Sequence, residues 1–152
     1  MLGYIQPENP GVIVPTSVPS LGEGWYDTGD IVRVDEDGYV YILGRQKRFA
    51  KIAGEMISLG AVEESALAID KDAVYAAVSI DDDKKGEQII LFSTSETLKR
   101  EDIISYVRGN MLSELLIPRK LVKILEIPVL ATGKVNYRKI VEIAEKENHI
   151  QE

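Results

Sequence analysis

The chain has 152 residues, 45% of them hydrophobic and 28% charged, and carries a net charge of −7. That length buries one core but leaves no room for two complete domains, and the acidic balance argues against nucleic acid, whose phosphates select for basic faces. With no cysteine there is neither a disulfide scaffold nor a thiolate metal site, which fits a reducing compartment. No apolar run approaches the roughly 20 residues that span a bilayer, so these totals describe a soluble domain.

The opening, residues 1–24, is dense in proline and glycine (Pro7, Pro10, Pro15, Pro19, Gly22, Gly24), which forbids a helix and permits only short or edge strands such as Val12-Ile13-Val14. Asp30 to Val34 and Tyr39 to Leu43 are β-branched and aromatic runs on either side of Asp35-Glu36-Asp37-Gly38, and read as a hairpin. This region is too small to carry its own core and reads as the end of a larger domain. Gly44 to Lys51 then gathers Arg45, Lys47, Arg48 and Lys51. Ser58 caps a predicted helix with Leu59, Val62, Ala66 and Ile69 at helical spacing. Val74 to Ile80 and Gln88 to Thr94 are predicted strands, Arg100 to Met111 a helix burying Ile103, Ile104 and Val107, and Leu121 to Ile127 a further strand. Asn136 to Glu147 is a final helix with Tyr137, Ile140, Val141 and Ala144 on one face. The expected fold is α+β: a β-rich remnant over 1–44, a hinge at 45–47 and a compact domain over 48–152 with a short central sheet flanked by helices.

Four segments hold candidate chemistry. Tyr26-Asp27-Thr28-Gly29-Asp30 reads as a turn entering a strand, where a fixed carboxylate can accept two hydroxyl hydrogen bonds. Gly44 to Glu55 is a basic run whose ordinary fate is a solvated linker. Gly54, between a strand-like stretch and a helix, suits a close approach of backbone to ligand. Lys134, in Thr132-Gly133-Lys134, reads as a surface lysine or a catalytic one, and the loop lacks the residues of a phosphate-cradling P-loop. Asp81-Asp82-Asp83 cannot converge on one ion in an extended segment and reads as a charged hairpin tip. His149, the one histidine, lies in an acidic tail, so no nucleophile–histidine arrangement is available.

In this order and spacing the segments resemble the carboxy-terminal motifs of the adenylate-forming acyl- and aryl-CoA synthetase superfamily. The resemblance implies that Asp30 and Arg45 hold the ribose of ATP, that Lys47 is the hinge, and that Lys51 and Gly54 line the thiol-acceptor channel. It makes Lys134, followed by Arg138, the catalytic lysine. Gly3-Tyr4 also resembles the Gly-Tyr that precedes the Thr-Gly-Asp motif. Where most members carry Arg-Ile-Glu after the channel glycine, this chain has Glu55-Met56-Ile57-Ser58. The run Lys47 to Met56 is similar to bacterial bifunctional 2-acylglycerophosphoethanolamine acyltransferase/acyl-[acyl-carrier-protein] synthetases.

This resemblance implies a mobile carboxy-terminal lid, inactive alone, that needs amino-terminal adenylation and acyltransferase domains. It implies ATP and Mg2+ (the metal carried by the triphosphate) and phosphopantetheine on the acceptor. The expected partner is acyl carrier protein, with Arg48 as the probe of a docking surface on the basic run. Fatty acid and lysophosphatidylethanolamine are the expected substrates. A cytoplasmic location is expected for the piece, and the cytoplasmic face of the bacterial inner membrane for the whole. The alternatives are a non-catalytic module binding nucleotide or carrier protein, and the lid of another acyl-CoA synthetase.

Overall fold

A computed structural model describes residues 3–82 and 86–149. The chain divides into two compact units, Met1–Gln46 and Lys47–Glu152.

The first unit consists of three antiparallel hairpins: β1 (Tyr4–Gln6) with β2 (Asn9–Val14), β3 (Ser17–Val18) with β4 (Gly22–Glu23), and β5 (Asp30–Val34) with β6 (Val40–Arg45). The β5–β6 turn is built as the sequence dictates. Asp35 Oδ1 accepts from the backbone N–H of Asp37 and Tyr39, at 3.1 and 2.9 Å, and Oδ2 accepts from the Tyr41 hydroxyl at 2.8 Å. Thr16 alone is buried among the described residues of this unit, while Ile5, Ile13, Trp25, Tyr39 and Ile42 stand exposed. Hairpins without a covered face are marginal on their own.

The second unit is a three-layer sandwich. A turn of 3₁₀-helix at Gln46–Arg48 leads into β7 (Phe49–Ile52) and β8 (Glu55–Ser58), then α1 (Leu59–Ile69). β9 (Tyr75–Asp82) and β10 (Gly86–Ser93) form the long central hairpin, followed by α2 (Arg100–Gly109), β11 (Lys120–Lys123) and α3 (Tyr137–His149). β10 pairs antiparallel with β9 on one side; on its other side it meets β11 in parallel and, at Gly86↔Ile52, β7. Side chains alternate across β9 and β10, so each strand feeds two cores. Ala77, Ile89 and Leu91 face Val62 and Ala66 of α1 and Ile103 and Val107 of α2. Ala76, Val78, Ile90 and Phe92 face Ile140 and Ala144 of α3. Burial on both faces is why these two strands read as near-continuous apolar runs.

Helix ends follow local chemistry. Ser58 Oγ accepts from the Ala61 amide at 3.3 Å, Asp102 Oδ2 accepts from the Lys99 amide at 2.8 Å, and Asn136 Oδ1 accepts from the Lys139 amide at 3.1 Å. These side chains satisfy donors that a helix start leaves open.

The α+β class, the helices and the long hairpin stand as expected; three expectations need correction. The strand expected over Leu121 to Ile127 ends at Lys123, because the chain leaves β10 there and Ile127 packs instead on the α3 side of the sheet. The expected helix to Met111 ends at Gly109. Gly54 does not join a strand to a helix: with Ala53 it forms a two-residue turn between β7 and β8, both residues at positive φ (51° and 90°), the geometry of a type I′ hairpin. Asp81 and Asp82 end β9, while Asp83 and the side chain of His149 lie outside the described residues.

Candidate functional site

In the first unit, the two residues expected to hold a ribose are brought together by strand register. Asp30 opens β5, Arg45 closes β6, and the two are directly paired across the ladder. Arg45 forms an ion pair with Asp30, Nε 3.0 Å from Oδ1, and its Nη1 donates to the Thr28 carbonyl at 2.8 Å. The turn before Asp30 is held by its own side chains: Asp27 Oδ1 accepts from the Gly29 amide at 2.8 Å, and Thr28 Oγ1 from the Asp30 amide at 3.2 Å. Among the described residues, Asp30 Oδ2 and Arg45 Nη2 keep their hydrogen-bonding capacity. A carboxylate acceptor beside a guanidinium donor suits a vicinal diol, whose hydroxyls both donate and accept. Close in sequence, Tyr4, Thr16, Val18, Trp25, Tyr26 and Asp27 line an open cavity of about 400 Å³. The Tyr4 and Tyr26 rings lie 6.0 Å apart there, and the Tyr26 hydroxyl pushes the Tyr4 phenol above its ordinary value.

Of the basic run in the second unit, Lys47 and Lys51 are exposed, and their ammonium groups have no partner among the described residues. Arg48 differs. Its Nη1 donates to the Ala77 carbonyl at 2.8 Å, its Nη2 to Glu63 Oε2 at 2.7 Å, and its guanidinium lies 4.0 Å over the Tyr137 ring. The sequence expectation made Arg48 a solvent-facing cation of a docking surface; it is instead engaged on three sides within the unit and is not available as one. Glu63 Oε1 in turn accepts from the Ala77 amide at 2.7 Å and from the Tyr137 hydroxyl at 3.3 Å. Burial, and then the Glu63 charge, push the Tyr137 phenol above its ordinary value, so it stays protonated and donates.

Lys51 and Gly54 sit on the β7–β8 hairpin, with the Lys51 amide donating to Glu87. Lys134 sits on a different element. The legs Val129 and Val135 form a bridge, the Leu130 amide donates to the Lys134 carbonyl at 2.8 Å, and the Gly133 amide to the Leu130 carbonyl at 2.8 Å. This is a type I turn closed by a left-handed residue, and glycine fills that place as Gly133, φ 80°. Lys134 is exposed and its ammonium has no partner among the described residues. No cluster of three or more His, Cys, Asp or Glu is placed to hold a metal among the described residues.

Sequence reasoning missed Glu63. It is one of two adjacent glutamates on α1, and nothing local separates the one turned to Arg48 from its solvated neighbour. Tyr137 was legible as an inward-facing helix residue, but not as the platform under Arg48.

No family model matches the chain. In sequence it is similar to the 3-methylmercaptopropionyl-CoA ligase of Ruegeria pomeroyi, 32% identical over 82% of this chain and 23% of that protein. It is also similar to the medium-chain fatty-acid–CoA ligase of Escherichia coli, 31% identical over 74% of this chain and 21% of that protein. Among solved structures, a fatty acyl CoA synthetase of Mycobacterium tuberculosis matches with a TM-score of 0.61 at 27% identity, covering 78% of this chain and 24% of that one. ATP-bound MatB of Rhodopseudomonas palustris matches in fold with a TM-score of 0.65 at 23% identity, over 84% of this chain and 25% of that one. The chain thus spans between a fifth and a quarter of each of these four proteins, and it is homologous to that part of the adenylate-forming, AMP-binding acyl-CoA ligases.

Proposed function

We propose that the chain is the carboxy-terminal part of an ATP-dependent acyl-activating ligase, its second unit being the mobile lid that swings about Lys47. The reaction runs in two halves: a fatty acid and ATP give acyl-AMP and pyrophosphate, and a thiol then displaces AMP. The observation that carries the reading is the cross-strand pair Asp30–Arg45, which leaves one carboxylate oxygen and one guanidinium nitrogen free toward a diol. Asp30 and Arg45 hold the ribose, and Mg2+ arrives with the triphosphate. Lys134, a compact cation on a flexible stem, neutralises charge at the reacting phosphate. In the second half the β7–β8 hairpin with Lys51 and Gly54 faces the incoming thiol.

The finer reading assigns phosphopantetheine on acyl carrier protein as the acceptor, in the service of lysophosphatidylethanolamine re-acylation at the inner membrane. It is supported by Glu55-Met56 in place of the usual Arg-Ile-Glu and by the free ammonium groups of Lys47 and Lys51, which suit an acidic carrier. No helix of the described residues is long and apolar enough to cross a membrane. Coenzyme A as acceptor is the second reading, favoured by the names of the sequence relatives, which are CoA ligases.

Asp30→Ala and Arg45→Ala in the whole enzyme test the ribose site. Each should raise the KM for ATP by about tenfold or more, as loss of a charge-assisted hydrogen bond predicts, while 2′,3′-dideoxy-ATP, with no diol to hold, should be insensitive to both. Equal effects on both nucleotides would overturn the assignment.

A further inference from the structure

We propose that Arg48, Glu63 and Tyr137 form a positioning clamp that aims the Lys134 turn from the first residues of the second unit. The inference deepens the reading of Lys134 as the adenylation lysine and rests on it.

The clamp joins four elements: Arg48 follows the 3₁₀ turn's start at Gln46, Glu63 lies on α1, Ala77 on β9 and Tyr137 opens α3. Ala77 turns both backbone groups away from β10, and Glu63 accepts from its amide while Arg48 donates to its carbonyl. An edge strand is thereby sealed where a sixth strand could otherwise add. Sealing the edge does not require Tyr137. Yet the ring lies under the guanidinium at 4.0 Å, and its hydroxyl reaches Glu63.

Tyr137 is three residues from Lys134, and the turn that carries Lys134 depends on its base. Leu130 to Lys134 are exposed, whereas Ile127 is buried and Val135 and Tyr137 pack against the α3-side core. The Asn136 amide donates to the Pro128 carbonyl at 2.8 Å and ties the two legs together. Apolar packing of Ile127 and Val135 fixes the depth of the base but is non-directional. Hydrogen bonds and the stacked cation are directional, and they fix the rotation of Tyr137, hence the direction in which the turn projects. Arg48 and Tyr137 are positioning residues on this account: neither touches substrate.

The test uses nuclear magnetic resonance on the 152-residue chain, with Arg48→Met, Arg48→Lys and Tyr137→Phe. In the native chain the backbone order parameters of residues 129–135 should sit near the rigid value of about 0.85; in all three variants they should fall toward about 0.6, with β10 unchanged. Arg48→Lys keeps the charge and loses the fork, so it should not rescue. Unchanged order parameters in the turn, or an equal fall throughout the unit, would overturn the clamp. If Arg48→Met does not fold, Tyr137→Phe decides, since it removes one hydroxyl and keeps the ring. In the whole enzyme, Tyr137→Phe should lower kcat for adenylation by about tenfold to a hundredfold at unchanged KM for ATP. Should the order parameters fall and adenylation hold, the clamp stands and the reading of Lys134 fails; should the order parameters hold, the clamp fails whatever adenylation does.

Discussion

Charge reversal at Arg48 separates a surface cation from a built-in one. Arg48→Glu removes the 2.7 Å pair with Glu63, the bond to the Ala77 carbonyl and the stack on Tyr137, and sets a second carboxylate beside Glu63. The two side chains are 22% and 20% exposed, between the solvated limit, where a pair contributes under ~1 kcal/mol, and the buried limit, where breaking one costs about 3–5 kcal/mol. Losing a charge-assisted hydrogen bond at this exposure costs about 2 kcal/mol and the Ala77 bond about 1 kcal/mol. The facing carboxylates add repulsion that rotation into solvent partly relieves. The sum is about 3–4 kcal/mol, a large share of the 5–15 kcal/mol that holds an ordinary domain together. Urea denaturation of the 152-residue chain, followed by circular dichroism, reads it as a fall in midpoint. The double variant Arg48→Glu/Glu63→Gln should recover about 1 kcal/mol or more, since it removes the repulsion. A loss under about 1 kcal/mol with no recovery would refute the reasoning and return Arg48 to the solvated surface.

Other outcomes follow from single sites. Met111 is 93% exposed at φ 53°, just past the end of α2, where the Leu112 amide reaches the Val107 carbonyl and the Met111 amide the Arg108 carbonyl. That is the Schellman arrangement, so Met111→Gly should raise stability by about 0.5–1 kcal/mol by thermal denaturation; a loss would show that Met111 makes contacts beyond its backbone. The Tyr41 hydroxyl, before the turn amides, holds the Asp35 carboxyl below its ordinary value. A lowered carboxyl stabilises the folded hairpin above its ordinary titration range and loses that effect as pH falls through its folded value. Tyr41→Phe should therefore move the Asp35 carboxyl resonance to a higher titration midpoint and start the acid loss at higher pH; an unmoved midpoint would deny the hydroxyl its role. Lys47→Pro fixes φ and removes the amide donor, so the whole enzyme should keep one half-reaction and lose the other. Retention of both would place the hinge elsewhere.

Much of the fold was legible because its signals are local. Ser58 caps its helix where it was expected to, and β9 and β10 announce themselves as apolar runs because both faces are covered. The β7–β8 hairpin was hidden for two reasons. Its turn uses Ala53 at a left-handed position that Asn or Asp would have marked, and the basic residues of Arg45 to Lys51 drew attention away from the alternation of Phe49-Ala50-Lys51-Ile52, in which Ala50 and Ile52 are buried. Asp30 and Arg45 shared one expected role only through a resemblance, whereas their pairing comes from strand register. The partners of Arg48 could not be read, since Glu63 lies 15 residues on in another element and Tyr137 lies near the chain's far end.

Lys134→Ala in the whole enzyme tests the central claim most directly. Lys134 is an exposed lysine without a partner among the described residues, held on a turn that only glycine at 133 closes without strain. Acyl-AMP formation, followed by pyrophosphate release with ATP and palmitate, should slow by ~10²–10³, the usual loss when one preorganised charge-stabilising donor is removed. Thioester formation from preformed acyl-AMP should proceed at the native rate. An equal fall in both half-reactions, or no fall in the first, would contradict the account.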